Sequence, residues 1–195
     1  MTLDTFLIIG LGNPGREYRD NRHNFGFMLI DWLVVRHNAR GMKLQSKAIV
    51  TSGTYEDRKL ILAKPQTYMN LSGQSARGLI HFYKLPLSNV LVAHDDLDIP
   101  FGTIRMRPAG GPGGQKGLAS TIEQLGTTDI PRLRLGIGRP PGRMDPAAYV
   151  LQDFSRDELK DIPSILDRAA DAVSAFVTDG LDKAMSRFNG DVREV

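Results

Sequence analysis

The sequence predicts an α/β fold, a mixed and mostly parallel β-sheet sandwiched between α-helices, as a single domain over 1–195. Three observations predict it. Apolar runs of strand length alternate with stretches of helical periodicity, an order of elements that builds parallel sheets. Two of the runs, 6–9 and 90–93, are apolar without a break, as strands buried on both faces are. Each empties into a polar, turn-rich segment, Gly10-Leu11-Gly12-Asn13-Pro14-Gly15 after the first and His94-Asp95-Asp96-Leu97-Asp98 after the second. In open α/β sheets, loops at the carboxyl ends of strands form the ligand crevice.

The elements follow in order. Residues 25–37 read as a helix with Phe25, Met28, Leu29, Trp32, Leu33 and Val35 or Arg36 at its seam, ended by Gly41. Residues 48–55 and 59–63 are strands joined by a hairpin at Glu56-Asp57-Arg58. A polar loop over 64–73 feeds a helix over 74–83, which Pro86 closes. After the buried run at 90–93, residues 103–107 predict a strand. A second glycine-rich loop over 109–117 opens a helix over 118–125, and 133–138 supplies a further strand. Pro140-Pro141-Gly142 is a break. From Ile162 to Val177 apolar residues recur at three-to-four spacing, a helix face interrupted at Gly180 and resumed over 181–188. No internal repeat and no linker divide the chain.

Composition bounds the function. At 195 residues and 41% hydrophobic, the chain can bury one substantial core. The absence of cysteine removes disulfides, thiol catalysis and cysteine-ligated metals, and suits the cytoplasm. Asp4 interrupts the start, the apolar run after it is too short for a signal peptide, and no segment reaches bilayer-spanning length, so no membrane association is expected. The net charge of +3 is uneven: residues 102–143 carry seven positive against two negative side chains, whereas 144–195 carry six against eleven. A basic face built from the middle of the chain suits an anionic partner, nucleic acid above all, although a solvated charged surface has the same composition.

Gly10, Gly12 and Gly15 also fit the G-x-G-x-x-G of a dinucleotide-binding turn, with Asp31 downstream. That turn needs its third glycine to open an apolar helix whose N-terminus meets the pyrophosphate. Here Arg-Glu-Tyr-Arg-Asp-Asn-Arg follows, and Asp31 falls inside the later helix. The glycine turn instead delivers Asn13, Tyr18, Arg22, His23 and Asn24 to the sheet edge, with His23 at the centre; a capping or core histidine is the structural alternative. The cluster of His94, Asp95, Asp96 and Asp98 could hold a hard cation, but it lacks the glycine and distal glutamate of a calcium loop. Ser72 and Ser75 lie in no Gly-x-Ser-x-Gly elbow. Water activated by a histidine remains, with a carboxylate to orient the ring and amide side chains to hold a carbonyl, an arrangement for acyl transfer to water.

Several of these segments together resemble one family. They are residues 10–15 with Glu17-Tyr18 and Arg22-His23-Asn24, then Tyr68-Met69-Asn70-Leu71-Ser72-Gly73, then Ala93-His94-Asp95-Asp96-Leu97-Asp98. Gly113-Gly114 before a helix, Arg132-Leu133-Arg134-Leu135-Gly136-Ile137-Gly138 and Thr178-Asp179-Gly180-Leu181 follow. In this order, over nearly the whole chain, they resemble bacterial peptidyl-tRNA hydrolases. The resemblance implies hydrolysis of the ester joining a peptide to the 3′ end of tRNA, recycling tRNA from aborted translation without metal or cofactor. It implies His23 as the general base on water and Asp95 as the group that holds its tautomer. By the same resemblance Asn13 and Asn70 contact the peptide end and the ester, Asn13 helping to tell an N-blocked aminoacyl group from a free one. Tyr18, Tyr68 and Met69 line the site, and Arg107 and Arg134 take the 5′-phosphate end of the tRNA. The implied partner is peptidyl-tRNA, and a monomer is expected.

One departure stands out. The family usually reads Gly-Gly-His-Asn-Gly where this chain reads Gly113-Gly114-Gln115-Lys116-Gly117, so Lys116 replaces an asparagine that helps bind substrate and position water. Lysine donates hydrogen bonds and accepts none, so it can steady a phosphate or oxyanion but cannot accept from the attacking water. Asn21 also stands where threonine is common. The departure keeps open a catalytically impaired RNA-binding relative of the same fold. Intact His23, Asp95, Asn13 and Asn70 favour the enzyme, and hydrolysis of a small ester would leave the basic segment unexplained.

Overall fold

A computed structural model describes residues 3–191. Strand β1 (Asp4–Gly10) ends at the first glycine, two 3-10 turns over 16–18 and 22–24 carry the polar segment, and helix α1 (Phe25–Arg36) follows. Strands β2 (Arg40–Gln45), β3 (Ala48–Tyr55) and β4 (Arg58–Pro65) form an antiparallel run. Their two tight turns place Ser46, Lys47, Glu56 and Asp57 at positive φ, the conformation that matches the twist of a two-residue hairpin. Helix α2 (Ser72–Tyr83), β5 (Val90–Asp96), β6 (Thr103–Arg107), α3 (Lys116–Leu125) and β7 (Arg132–Gly136) come next. The described chain closes with α4 (Pro146–Val150), α5 (Glu158–Asp179), α6 (Leu181–Phe188) and a two-residue β8 (Gly190–Asp191).

The strands form one mixed sheet in the order β2-β3-β4-β1-β5-β7-β6-β8. The four central strands, β4, β1, β5 and β7, run parallel, and antiparallel strands flank them on both sides. Period-2 alternation divides the core between two faces. Ile8, Leu91, Leu133 and Ile104 pack under α1, α5 and α6, while Leu7, Ile9, Val90 and Val92 pack under α2 and α3. Each such aliphatic side chain contributes about 1.5–3 kcal/mol by leaving water. Because the central strands are parallel, their carboxyl ends share one edge, and the loops after β1, β4 and β5 converge there.

Three elements differ from the sequence reading. Helix α1 stops at Arg36, five residues before Gly41, because Asn38 turns the chain at φ 48° and Ala39 N–H returns to the Val34 carbonyl. Gly41 lies instead in β2, an edge strand whose Met42 and Leu44 are exposed, so it has no buried face to leave a pattern in the sequence. Val35, placed at the α1 seam by periodicity, points to solvent, and Phe27 and Ile30 are buried in its stead. Short α4 was hidden by its length, although Asp145 as cap and Pro146 behind it are a legible helix start.

Candidate active site

Helix α1 crosses β1 backbone to backbone. A Cβ on Gly10 would lie 2.1 Å from the Gly26 carbonyl oxygen, so no larger residue fits the crossing. This close approach sets the turn before α1 over the end of β5. There the His23 Nδ1–H donates to the Asp95 carboxylate, at 2.9 Å from Oδ2 and 3.0 Å from Oδ1. Both residues are buried, and His23 borders a cleft of about 600 Å³. With Nδ1 as donor in the neutral ring, Nε2 carries the lone pair, and it has no partner among the described residues.

Asp95 has a second donor, the Gln115 Nε2–H at 3.1 Å from Oδ1. Burial alone pushes the Asp95 carboxyl up. The adjacent His23, with the hydrogen bonds from His23 and Gln115 and a smaller effect of His94, outweighs this and holds it below the usual carboxylate value. Asn24 clamps the glycine turn by accepting from the Asn13 N–H at 2.8 Å and donating to the Asn13 carbonyl at 2.9 Å. Asn13 Oδ1 then accepts the Met69 N–H at 2.8 Å, which leaves its amide NH2 without a partner among the described residues and beside the cleft.

Exposed Tyr68 and Asn70 and buried Met69 form one wall, and exposed Lys116, at the first position of α3, forms another. Residues Asp145, Pro146, Ala147, Val150 and Leu151 form the roof. Arg22 anchors that roof: it donates to the Asp153 carbonyl at 2.7 Å, pairs with Glu158 at 2.6 Å and lies 4.4 Å over the Tyr149 ring. Asn21 adds a 2.6 Å bond to Asp153. Arg22, Asn24 and Asn21 thus hold the site without lining it.

Comparison with known proteins gives the family. A model of the peptidyl-tRNA hydrolase family matches residues 7–195. The chain belongs to the peptidyl-tRNA hydrolase family. It is 47% identical over 185 residues to the peptidyl-tRNA hydrolase of Chloroflexus aurantiacus, covering 94% of this chain and 98% of the relative. To the Rhodococcus jostii peptidyl-tRNA hydrolase it is 46% identical over 190 residues, covering 97% and 100%. The crystal structure of the Acinetobacter baumannii peptidyl-tRNA hydrolase superposes with a TM-score of 0.90 at 33% identity, covering 98% of each chain.

In this peptidyl-tRNA hydrolase family member the site residues expected from the sequence do not all meet. His23, Asp95, Asn13, Asn70, Tyr68, Met69 and Lys116 line one cleft. Tyr18 does not; it lies half-buried in the 16–18 turn outside the cleft lining. Arg107 and Arg134 stand apart on the sheet, where alternation sends them, with Arg105, to the face that α2 and α3 cover elsewhere. Arg107 is exposed there, while half-buried Arg134 sits opposite Arg105 and donates from Nε to Asp96 at 2.7 Å. Since Asp96 also lines the cleft, this basic strip runs up to its rim. The two carboxylates that end β5 are divided by the same alternation, Asp95 turning toward His23 and Asp96 toward Arg134, while Asp98 beyond the strand pairs with Arg139. Among the described residues no three His, Asp or Glu side chains come together as a metal would require, and no helix is long and apolar enough to cross a membrane.

The dinucleotide alternative is also resolved by placement. Helix α1 begins ten residues beyond Gly15, and Asp31 lies midway along it, paired with Lys64 at 2.5 Å. A larger groove of about 1000 Å³ opens on the far side of Asn13, floored by Phe27, Met28 and Trp32. It contains neither His23 nor Asp95, both of which line the smaller cleft. Gln115 and the α4 roof are the site residues that sequence reasoning missed.

His94 is buried with its Nδ1–H donated to the Asp95 carbonyl at 2.7 Å and with Nε2 unpartnered among the described residues. Burial pushes it below its ordinary value of 6.5, against the pull of that carbonyl and of Asp95 and Asp96, while Arg132 lowers it further. The unfolded chain therefore takes up a proton on His94 at a pH where the folded protein does not. Its contribution to stability is complete above pH 6.5 and is lost as pH falls from there toward the lowered folded value. One proton is worth at most about 1.4 kcal/mol per pH unit. Urea unfolding between neutral and mildly acidic pH is expected to have a shallower slope in His94→Gln; half-buried His37, lowered by burial and Arg36, keeps its own share.

Proposed function

We propose that this chain, as one domain and as a monomer in the cytoplasm, hydrolyses the ester linking the peptide of peptidyl-tRNA to the tRNA 3′ end. The observation that carries this reading is the His23–Asp95 pair opening onto the cleft. In the reaction the substrate carbonyl enters that cleft and water binds at Nε2 of His23. The ring takes a proton as the water oxygen attacks, while Asp95 stabilises the imidazolium that forms. The tetrahedral oxyanion is met by donors on the walls, the free amide NH2 of Asn13, the Asn70 amide and the Lys116 ammonium. Lys116 adds its charge to the N-terminus of α3, whose first turn contains no acidic residue, so that wall is electropositive. Collapse of the intermediate breaks the ester bond, and His23 returns the proton to the departing ribose oxygen. The scheme requires no metal or cofactor.

Asn13 is the residue suited to recognising a blocked amino terminus, because an amide can pair with a peptide N–H or C=O where a carboxylate would attract a free ammonium. Arg105, Arg107 and Arg134 extend the contact to phosphates of the acceptor stem, Arg134 with the donors that Asp96 leaves unused. The test is release of N-acetylaminoacyl groups from tRNA by purified protein with a chelator present and free aminoacyl-tRNA as control. Selective, chelator-resistant release of the blocked group is expected. Salt-sensitive tRNA binding without release would instead identify a binding protein, and loss of release on chelation would overturn the metal-free scheme.

A further inference from the structure

Gln115 is a buried amide with both ends engaged. Its Oε1 accepts the Leu118 N–H at 2.7 Å, making it the N-cap of α3. Its Nε2–H2 donates to Asp95 Oδ1 at 3.1 Å and lies 3.3 Å from the Met69 sulfur. The Leu118 bond leaves no doubt which end of the amide is oxygen, so the end at Asp95 is a donor. Glutamine is not a preferred cap; serine, asparagine and aspartate are better placed to bond the first turn of a helix. A long amide at this position gains the reach to Asp95 that those residues lack. Asp95 also needs a second donor. His23 Nδ1 lies at nearly equal distance from both carboxylate oxygens, and the torsion that turns a carboxylate is soft.

We propose that Gln115 is a positioning residue for the His23–Asp95 pair, its amide fixing the carboxylate against the imidazole while tying the glycine-rich loop and α3 to the base. The proposal rests on the reading of His23 as the base of the hydrolysis. The charges near Asp95 come from His23 on the 22–24 turn, His94 on its own strand and Lys116 at the start of α3. Arg134 is engaged by Asp96.

Gln115→Ser separates the two duties, since serine keeps a cap but is too short to reach Asp95 and adds no charge. It is expected to retain thermal stability, to lower kcat for N-acetylaminoacyl-tRNA on the order of ten- to a hundredfold with KM little changed, and to raise the Asp95 carboxyl midpoint followed by 13C NMR. Gln115→His, whose ring can donate with one nitrogen and accept with the other, is expected to stay within several-fold of the parent kcat and to preserve the Asp95 midpoint. Parent-like kcat and Asp95 midpoint in Gln115→Ser would reduce Gln115 to a helix cap and overturn the proposal. So would loss of kcat in Gln115→His with its stability intact, which also covers the case in which the serine variant fails to fold. A parent protein that releases nothing would overturn the hydrolase reading, leaving the carboxyl titration to decide on Gln115.

Discussion

His23→Ala is expected to lower kcat for hydrolysis of N-acetylaminoacyl-tRNA by about 10²- to 10⁴-fold, the range a positioned general base supplies. His23 is the residue whose unpaired ring nitrogen faces the cleft, and no other histidine lines it. His94 is on the same strand end but turns its ring to the Asp95 carbonyl on the opposite face. The basic strip of Arg105, Arg107 and Arg134 is untouched by the change, so affinity for tRNA should stay within about twofold, as expected where phosphate contacts dominate. Single-turnover rates and a tRNA binding isotherm measured on the same preparation check both halves. A variant that keeps near-parent turnover would remove His23 from the role of base.

The second large effect belongs to Asp95→Asn, for which kcat should fall by about 10³- to 10⁴-fold, as when a triad carboxylate is replaced by its amide. Gln115 presents N–H to this position, so the new side chain keeps its oxygen toward Gln115 and its NH2 toward His23. The ring answers by turning its lone pair to Nδ1 and its proton to Nε2, which leaves the cleft with a donor where the reaction needs an acceptor. Stability should change with pH in a way that identifies the lost group. Asp95 has a lowered carboxyl pKa in the folded protein, so its ionisation stabilises the fold above the ordinary carboxylate range and that contribution is lost as pH falls through the lowered value. Chemical unfolding of Asp95→Asn should lack this acid-side loss. An unchanged rate, or an acid transition identical to the parent's, counts against the pairing.

Much of the candidate site was legible because its residue types are local signals. Gly10-Leu11-Gly12 after an apolar strand marks a turn at a sheet edge, and Met69-Asn70 and Asp95 stand at comparable strand ends. Arg22 was less legible. In sequence it is one more cation beside His23, whereas in the fold its guanidinium is buried against Glu158 and Tyr149 and holds the cleft roof. Gln115 carries no local signal, since its bond reaches a carboxylate twenty residues earlier in the chain.

The sequence by itself determined the α/β class, the apolar central strands, the glycine turns and the set of side chains able to activate water, because hydrophobic periodicity and turn chemistry act over a few residues. Only the tertiary structure decided which of those side chains meet. Crossing α1 over β1 at Gly10 and Gly26 brings His23 to Asp95 across 72 residues of chain. The alternation of β5 then gives Asp95 to His23 and Asp96 to Arg134, because neighbouring residues of a strand face opposite sides of the sheet.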